Sequence, residues 1–176
     1  EYIEEIKEKN KSNKECPVFT VSNLYGFILS NDFFNKQVYS KKLNTYKIVN
    51  RNFFAYNPYR INVGSIGLFK NKIGIVSPAY TVFKIKDMKK LYSEFLFELL
   101  KSPFYISQIK KYSMSRGSVR RSLSFKDLSD FKIPLPPFPE QKKIDRVLSK
   151  IQQAIEQQDK IIEATKNLKK SLMQKL

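Results

Sequence analysis

Two stretches of this chain contain no carboxylate, and most of the chemistry it can offer lies in them. Between Asp32 and Asp87 there is neither Asp nor Glu, yet Lys36, Lys41, Lys42, Lys47, Arg51, Arg60, Lys70, Lys72, Lys84 and Lys86 all fall there. The second window, Leu99 to Lys126, holds Lys101, Lys110, Lys111, Arg116, Arg120, Arg121 and Lys126. Amide, hydroxyl and phenol groups are interleaved with these cations, among them Tyr46, Asn50, Asn57, Tyr59, Asn62, Ser65, Tyr112, Ser113, Ser115 and Ser118. That mixture suits duplex DNA. Lys and Arg hold phosphates and release their counterions, while Asn, Arg and Ser read base edges in the major groove. Taken singly, most of these lysines are a solvated surface. Two acid-free windows in one domain favour a patch, as does a net charge of +17 on 176 residues, which calls for a polyanionic partner. The expected DNA contacts are Arg51, Asn57, Tyr59, Arg60, Asn62, Ser65, Lys70, Lys72, Ser115, Arg116, Ser118, Arg120 and Arg121. They concentrate in loops around Asn57–Ser65 and Ser113–Arg121.

Catalytic chemistry is mostly excluded by what is missing. Without a single histidine, Ser-His-Asp and Cys-His arrangements and His-based metal sites cannot be built. One cysteine, Cys16, removes thiolate clusters and internal disulfides, which fits a reducing cytosol. Five glycines and no phosphate-cradling glycine loop speak against nucleotide binding, so no cofactor and no metal are expected. Two tetrads, Asn57-Pro58-Tyr59-Arg60 and Ser102-Pro103-Phe104-Tyr105, faintly echo the Asn/Asp/Ser-Pro-Pro-Tyr/Phe motif of amino-methyltransferases. Both lack the second proline, and no glycine-rich turn accompanies them to hold a methyl donor. A proline after Asn or Ser reads first as a turn. No apolar run reaches bilayer length and no segment reads as a signal peptide, so a cytoplasmic protein without membrane contact is expected. A start at Glu1 rather than Met points to further sequence upstream.

The elements that must position these residues read as an α+β domain over 1–136, with a curled, mostly antiparallel sheet. A 41% hydrophobic content with 14 Phe and 10 Tyr argues against disorder. Glu1 to Asn13 reads as the end of a short helix fading into a loop. Strands are predicted at Val18–Ser22, Phe27–Leu29, Tyr46–Val49, Phe53–Tyr56, Gly67–Phe69, Gly74–Val76 and Thr81–Ile85, each β-branched or aromatic and bounded by turn residues. Lys70-Asn71-Lys72 reads as a hairpin loop. A helix capped by Asp87 is predicted from Met88 to about Lys101, and Pro103 opens a second with Tyr105, Ile109 and Tyr112 on one face. Ser124-Phe125-Lys126-Asp127 is a capping-box signature. A strand-like Phe131–Ile133 then runs into the extended connector Pro134-Leu135-Pro136-Pro137-Phe138-Pro139.

Residues 137–176 form a second unit, a single helix candidate with no interior Gly or Pro beyond Pro139. Apolar positions recur at Ile144, Leu148, Ile151, Ile155 and Ile162, then at Leu168 and Leu172 after a phase shift, with Gln158 and Thr165 on the same stripe. This is a coiled-coil seam with polar interruptions that fix register. At 1.5 Å per residue the rod is about 55 Å long, too long for its own domain to cover, so a partner helix is expected. Its polar face mixes Lys with Glu156, Asp159 and Glu163, unlike a membrane-surface helix.

Three segments, Arg60-Ile61-Asn62-Val63-Gly64-Ser65-Ile66-Gly67-Leu68, Gly74 through Phe83, and Gly117-Ser118-Val119-Arg120, resemble the target recognition domain of Type I restriction-modification specificity (S) subunits. Ile133 through Ile144 is similar to that family's junction between recognition domain and helix. Leu168 through Leu176 resembles the end of one of its conserved helices. The resemblance implies a non-catalytic subunit that reads double-stranded DNA. Methyltransferase (M) subunits would modify adenine at the site, and a restriction (R) motor-nuclease subunit would cut unmodified DNA. Such subunits usually carry two recognition domains separated by two antiparallel helices. With one of each, this chain is either a half-subunit pairing with its own copy or the C-terminal half of a longer chain. A homodimer would read a two-fold symmetric, bipartite target. The competing reading is a scaffold whose basic domain binds RNA or an acidic protein.

Overall fold

The computed structural model describes residues 2–34, 39–40, 42–115 and 122–174, without the side chains of 113–115. Two compact units emerge, Glu1–Leu135 and Pro136–Leu176. The first is built on two four-stranded sheets. One holds β1 (Ile3–Ile6), β8 (Thr81–Ile85), β5 (Phe54–Tyr56) and β6 (Ile66–Leu68) in that order, all antiparallel. The other is ordered β3 (Gly26–Leu29), β2 (Val18–Ser22), β7 (Ile73–Val76), β4 (Lys47–Asn50), with β2 and β7 parallel and the other pairs antiparallel. The domain is therefore α+β and mostly antiparallel, with the expected sheet divided into two.

All seven predicted strands are present, each within a residue or so of its expected limits. β2, central in its sheet, is buried at every position, which accounts for its unbroken rather than alternating run of side chains. Its Phe19 belongs to a core that also takes Val21, Val49, Ala55, Phe69, Val76 and Val82 from both sheets. Phe19, Phe27 and Phe69 meet edge to face, with centroids 4.9 to 6.3 Å apart. Two glycines make the room they need. A Cβ on Gly74 would lie 2.6 Å from the Phe19 ring and 2.8 Å from Phe69, and one on Gly67 would lie 2.7 Å from Phe27.

Several local expectations give way to tertiary pairing. Residues 3–6 form a strand, not a helix end. Their register on β8 places Glu4 across from Lys84, with the carboxylate 2.8 Å from the ammonium. Lys70-Asn71-Lys72 closes no hairpin, because β6 and β7 belong to different sheets and the chain crosses between them there. Asp87 caps only a turn, its Oδ1 accepting from the Lys89 amide, and the helix begins later, as Ser93–Lys101. Phe131–Ile133 is not a strand. A short helix, α1 (Ser30–Phe34), has no counterpart among the predicted elements. With Ser93–Lys101 as α2, the remaining helices are α3 (Pro103–Ser115), α4 (Phe125–Ser129) and α5 (Phe138–Met173). The capping box on α4 forms as read, Ser124 Oγ accepting from the Asp127 amide and Asp127 accepting from the Ser124 amide. Among the described residues no helix is long and apolar enough to cross a membrane.

Gly74→Ala forces its new methyl into two aromatic rings. It should destabilise the domain by about 1 to 3 kcal/mol, read as a lower midpoint in urea denaturation.

Candidate nucleic-acid interface

The segment after β5 carries five of the thirteen predicted contacts, and the fold holds its backbone tightly. Arg60 leads into a short 3-10 turn, Ile61–Val63, closed by Gly64 at a φ of 84°, a left-handed conformation that suits glycine. The Asn57 amide donates to the Ser65 carbonyl at 3.1 Å, and the Ser65 amide to the Arg60 carbonyl at 3.1 Å. Below, Ile61 is buried and α3 packs on the turn. From the far side of the sequence, the Leu123 amide donates to the Pro58 carbonyl at 2.9 Å, and the buried Tyr56 hydroxyl donates to the Leu123 carbonyl at 3.2 Å. The base of the loop is pinned twice by one residue.

Beside this loop lies a cleft of about 740 Å³. Asn57, Tyr59, Arg60, Asn62, Val63 and Ser65 line it together with Thr20, Val21, Ser22 and Asn23 of the β2 end, Phe33 and Phe34 of α1, and Tyr80. No carboxylate is among the lining residues. Some polar groups are already engaged. Ser65 Oγ donates to the Val21 carbonyl at 2.9 Å, Asn57 Oδ1 accepts from the Tyr59 amide, and Ser22 Oγ accepts from the amides of Leu24 and Tyr25. Thr20 and Tyr80 share a hydroxyl–hydroxyl bond of 2.8 Å. The Arg60 guanidinium, the Asn62 amide and the Asn57 NH₂ have no partner among the described residues. The cleft thus offers one cation and two amides to a ligand rich in acceptors and donors.

A second, basic cleft of the same domain has a volume of about 790 Å³. Lys7, Lys9, Lys11 and Lys14 line it with Glu8, Cys16 and Asn50. Lys9 bridges to Lys47 across the strands, and Lys47 Nζ donates to the Tyr80 carbonyl at 2.6 Å. Burial holds the Lys47 ammonium below the ordinary lysine range. Glu5 opposes that shift, and the like charges of Lys7 and Lys9 add to it. Glu4 and Glu5 are engaged with Lys84 and Lys7, the latter at 3.2 Å.

The model of the type I restriction modification DNA specificity domain matches residues 3–166. The chain belongs to this family. It is 34% identical over 116 residues to the type I restriction enzyme MjaVIII specificity subunit of Methanocaldococcus jannaschii, covering 65% of this chain and 25% of that protein. It spans about a quarter of the length of the curated relatives it matches. Among solved structures, the HsdS subunit from Thermoanaerobacter tengcongensis superposes with a TM-score of 0.60 at 17% identity, over 88% of this chain and 43% of that one. A chain from work on complex assembly and conformational transition of the type I R-M system gives 0.56 at 18%, over 88% and 37%. At that identity the likeness concerns the fold.

Within this specificity domain, five of the predicted contacts, Asn57, Tyr59, Arg60, Asn62 and Ser65, come together in the first cleft. Arg51, Lys70 and Lys72 do not. Arg51 and Lys72 are exposed elsewhere, and Lys70 is paired with Glu94. Arg116, Ser118, Arg120 and Arg121 lie outside the described residues, and Ser115 is placed only as the last residue of α3. Thr20, Asn23, Phe33, Phe34 and Tyr80 escaped the sequence reading, as did the four lysines of the second cleft. Lys7 to Lys14 are interleaved with Glu8 and preceded by Glu4 and Glu5, which masks them in any window count. Ser30-Asn31-Asp32, a cap-like run, was the available sign of α1.

Burial pushes the Tyr56 hydroxyl well above the ordinary tyrosine value of 10, with the nearby Glu5 and Asp127 carboxylates adding to the shift and a Thr81 hydrogen bond opposing it. Its neutral form is favoured in the folded state, so its contribution is full below pH 10 and lost as pH rises above it. Tyr56→Phe leaves the buried Leu123 carbonyl without its donor and should cost about 1 to 3 kcal/mol at pH 7. The gap between variant and parent narrows above pH 10 in denaturation measured across pH.

Proposed function

We propose that this chain is the DNA-reading, non-catalytic part of a type I specificity subunit, and that it directs methyltransferase subunits, and through them a restriction subunit, to its target. The observation that carries the reading is the cleft itself. It is free of carboxylates and lined by the unpartnered Arg60, Asn57 and Asn62 groups, and the same domain carries a second, lysine-lined cleft. Arg reads guanine and Asn reads adenine by paired hydrogen bonds in the major groove. The lysines of the second cleft supply phosphate contacts that position the duplex without reading it. Membership of the specificity family supports the same assignment.

The α5 helix is proposed as the pairing element. Leu148, Ile151, Ile155, Ile162, Leu168 and Leu172 are all exposed along it, and Ile144 is partly so. Each exposed aliphatic side chain forgoes roughly 1.5 to 3 kcal/mol of burial, which a second helix recovers. An antiparallel pair of copies is two-fold symmetric, so the target would be a bipartite palindrome with an unread spacer.

Selection from random duplexes should return such a site, and structured RNA should not compete with it. Arg60→Ala and Asn62→Ala should each weaken binding by about ten-fold to hundred-fold and relax preference at one position. Lys9→Gln with Lys11→Gln should instead weaken all sequences alike and flatten the salt dependence by roughly one unit of slope per lost phosphate contact. An asymmetric or contiguous site would overturn the paired arrangement.

Light scattering behind size exclusion should give twice the chain mass for the parent protein and the single chain mass for Leu148→Asp with Ile155→Asp. A parent that runs as a single chain would overturn self-pairing.

A further inference from the structure

The cleft contains a feature that hydrogen-bond readout does not use. Phe33 and Phe34 end α1 with 43% and 41% of their surface exposed, and their rings stand at 88° to each other with centroids 4.8 Å apart. Both line the same cleft as Asn57, Arg60 and Asn62. The core does not need them, because Phe19, Phe27 and Phe69 already fill the space between the sheets. Nor does α1 turn them inward, since only Ser30 of its residues is buried. Two adjacent phenyl rings are therefore held toward solvent, in a cleft whose other groups are the Arg60 cation, amides, hydroxyls and the exposed Val63 side chain.

A duplex has little that is apolar to offer such a pair. Its phosphates and sugars are polar or charged, and along the major-groove edge the one apolar substituent is the 5-methyl group of thymine. The minor groove has no equivalent, and aromatic side chains act there by wedging between base steps. A wedge must be as thin as the gap it opens. Two rings packed at right angles cannot both enter one step, whereas a methyl group fits the angle between an edge and a face. The neighbouring Asn and Arg groups are also suited to major-groove edges, where the methyl lies.

We propose that Phe33 and Phe34 read the 5-methyl group of a thymine in the target half-site, next to the bases read by Asn57, Arg60 and Asn62. The proposal rests on the cleft being the DNA interface. It makes these two rings specificity determinants that act through shape and apolar contact.

Deoxyuridine removes the methyl while leaving pairing and the O4 acceptor intact, so the test requires no change to the protein. Duplex selections on the full chain are run in parallel from a random library made with thymine and from the same library made with deoxyuridine. A thymine should appear in the first consensus and lose its preference in the second. On the selected duplex, uracil at that position should weaken binding about four-fold, the worth of one buried methyl-sized group. Phe33→Ala with Phe34→Ala should bind thymine and uracil duplexes equally, and Phe33→Leu with Phe34→Leu should retain part of the discrimination. A consensus without thymine, or one indifferent to uracil at every position, overturns the proposal while leaving the DNA interface standing. So does a double alanine variant that loses the site although uracil does not, since the rings would then act by stacking or wedging. Failure to enrich any duplex overturns the DNA reading and this proposal with it.

Discussion

Three phenyl rings and two glycines set the spacing of the two sheets, and the rest of the domain depends on that spacing. Phe19, Phe27 and Phe69 interlock edge to face where Gly67 and Gly74 leave no side chain. Close packing of this kind does not yield gradually, because a single added methyl has no space to enter. The consequence reaches the surface through β2. Phe19 anchors that strand in the core, and Thr20, Val21 and Ser22 follow it directly into the cleft lining. The Val21 carbonyl receives Ser65 Oγ, so the loop carrying Arg60 and Asn62 is positioned by the strand that the rings hold. Core and cleft are joined by three consecutive residues.

Within the loop, the polar residues divide into those that shape it and those left for a ligand. Ser65, Ser22 and the Asn57 carbonyl serve backbone groups nearby, while Tyr80 and Thr20 satisfy each other. Holding donors in place before a ligand arrives reduces the entropy lost on binding. The double attachment of Leu123 to Pro58 and Tyr56 has the same effect at the loop's base. Electrostatics complement this rigidity. Lys47 is half-buried, close to Lys7 and Lys9, and its ammonium is held below the usual range. Burial is the main cause, and the like charges of Lys7 and Lys9 add to it.

Patterns that depend on local chemistry were legible in the sequence. The seven strands, the capping box at Ser124 and the proline start of α3 each follow from residues within a few positions of one another. Errors arose where a distant segment decided the outcome. Ile3–Ile6 looks helical until β8 pairs with it, and Lys70–Lys72 looks like a hairpin until the two strands are seen in separate sheets. The cleft divides along the same line. Asn57 to Ser65 were found because they are contiguous and acid-free. Thr20, Phe33 and Tyr80 join them only through folding, and no spacing rule connects positions so far apart. The glutamates around Lys7 and Lys9 cancel those charges in the sequence, whereas the strand pairing draws Glu4 away to Lys84.

The helix brings a geometric constraint of its own under the proposed pairing. Along its seam, Ile144, Leu148, Ile151 and Ile155 alternate steps of four and three, and the phase shifts between Ile162 and Leu168. A perfectly regular stripe would let two helices slip by a heptad at little cost. One heptad is about 10.5 Å, or roughly three base pairs of duplex at 3.4 Å each. Two readers on slipping rods would therefore accept several spacer lengths. The phase shift removes that degeneracy, because a slipped pair sets it against regular stripe. Gln158 adds to the restriction, since a polar side chain in an apolar seam favours the register that gives it a partner. Thr165 contributes less, as its hydroxyl already donates to the Ile161 carbonyl of its own helix at 2.8 Å. The irregularities of α5 are thus what a rod needs if it is to hold two clefts a fixed number of base pairs apart.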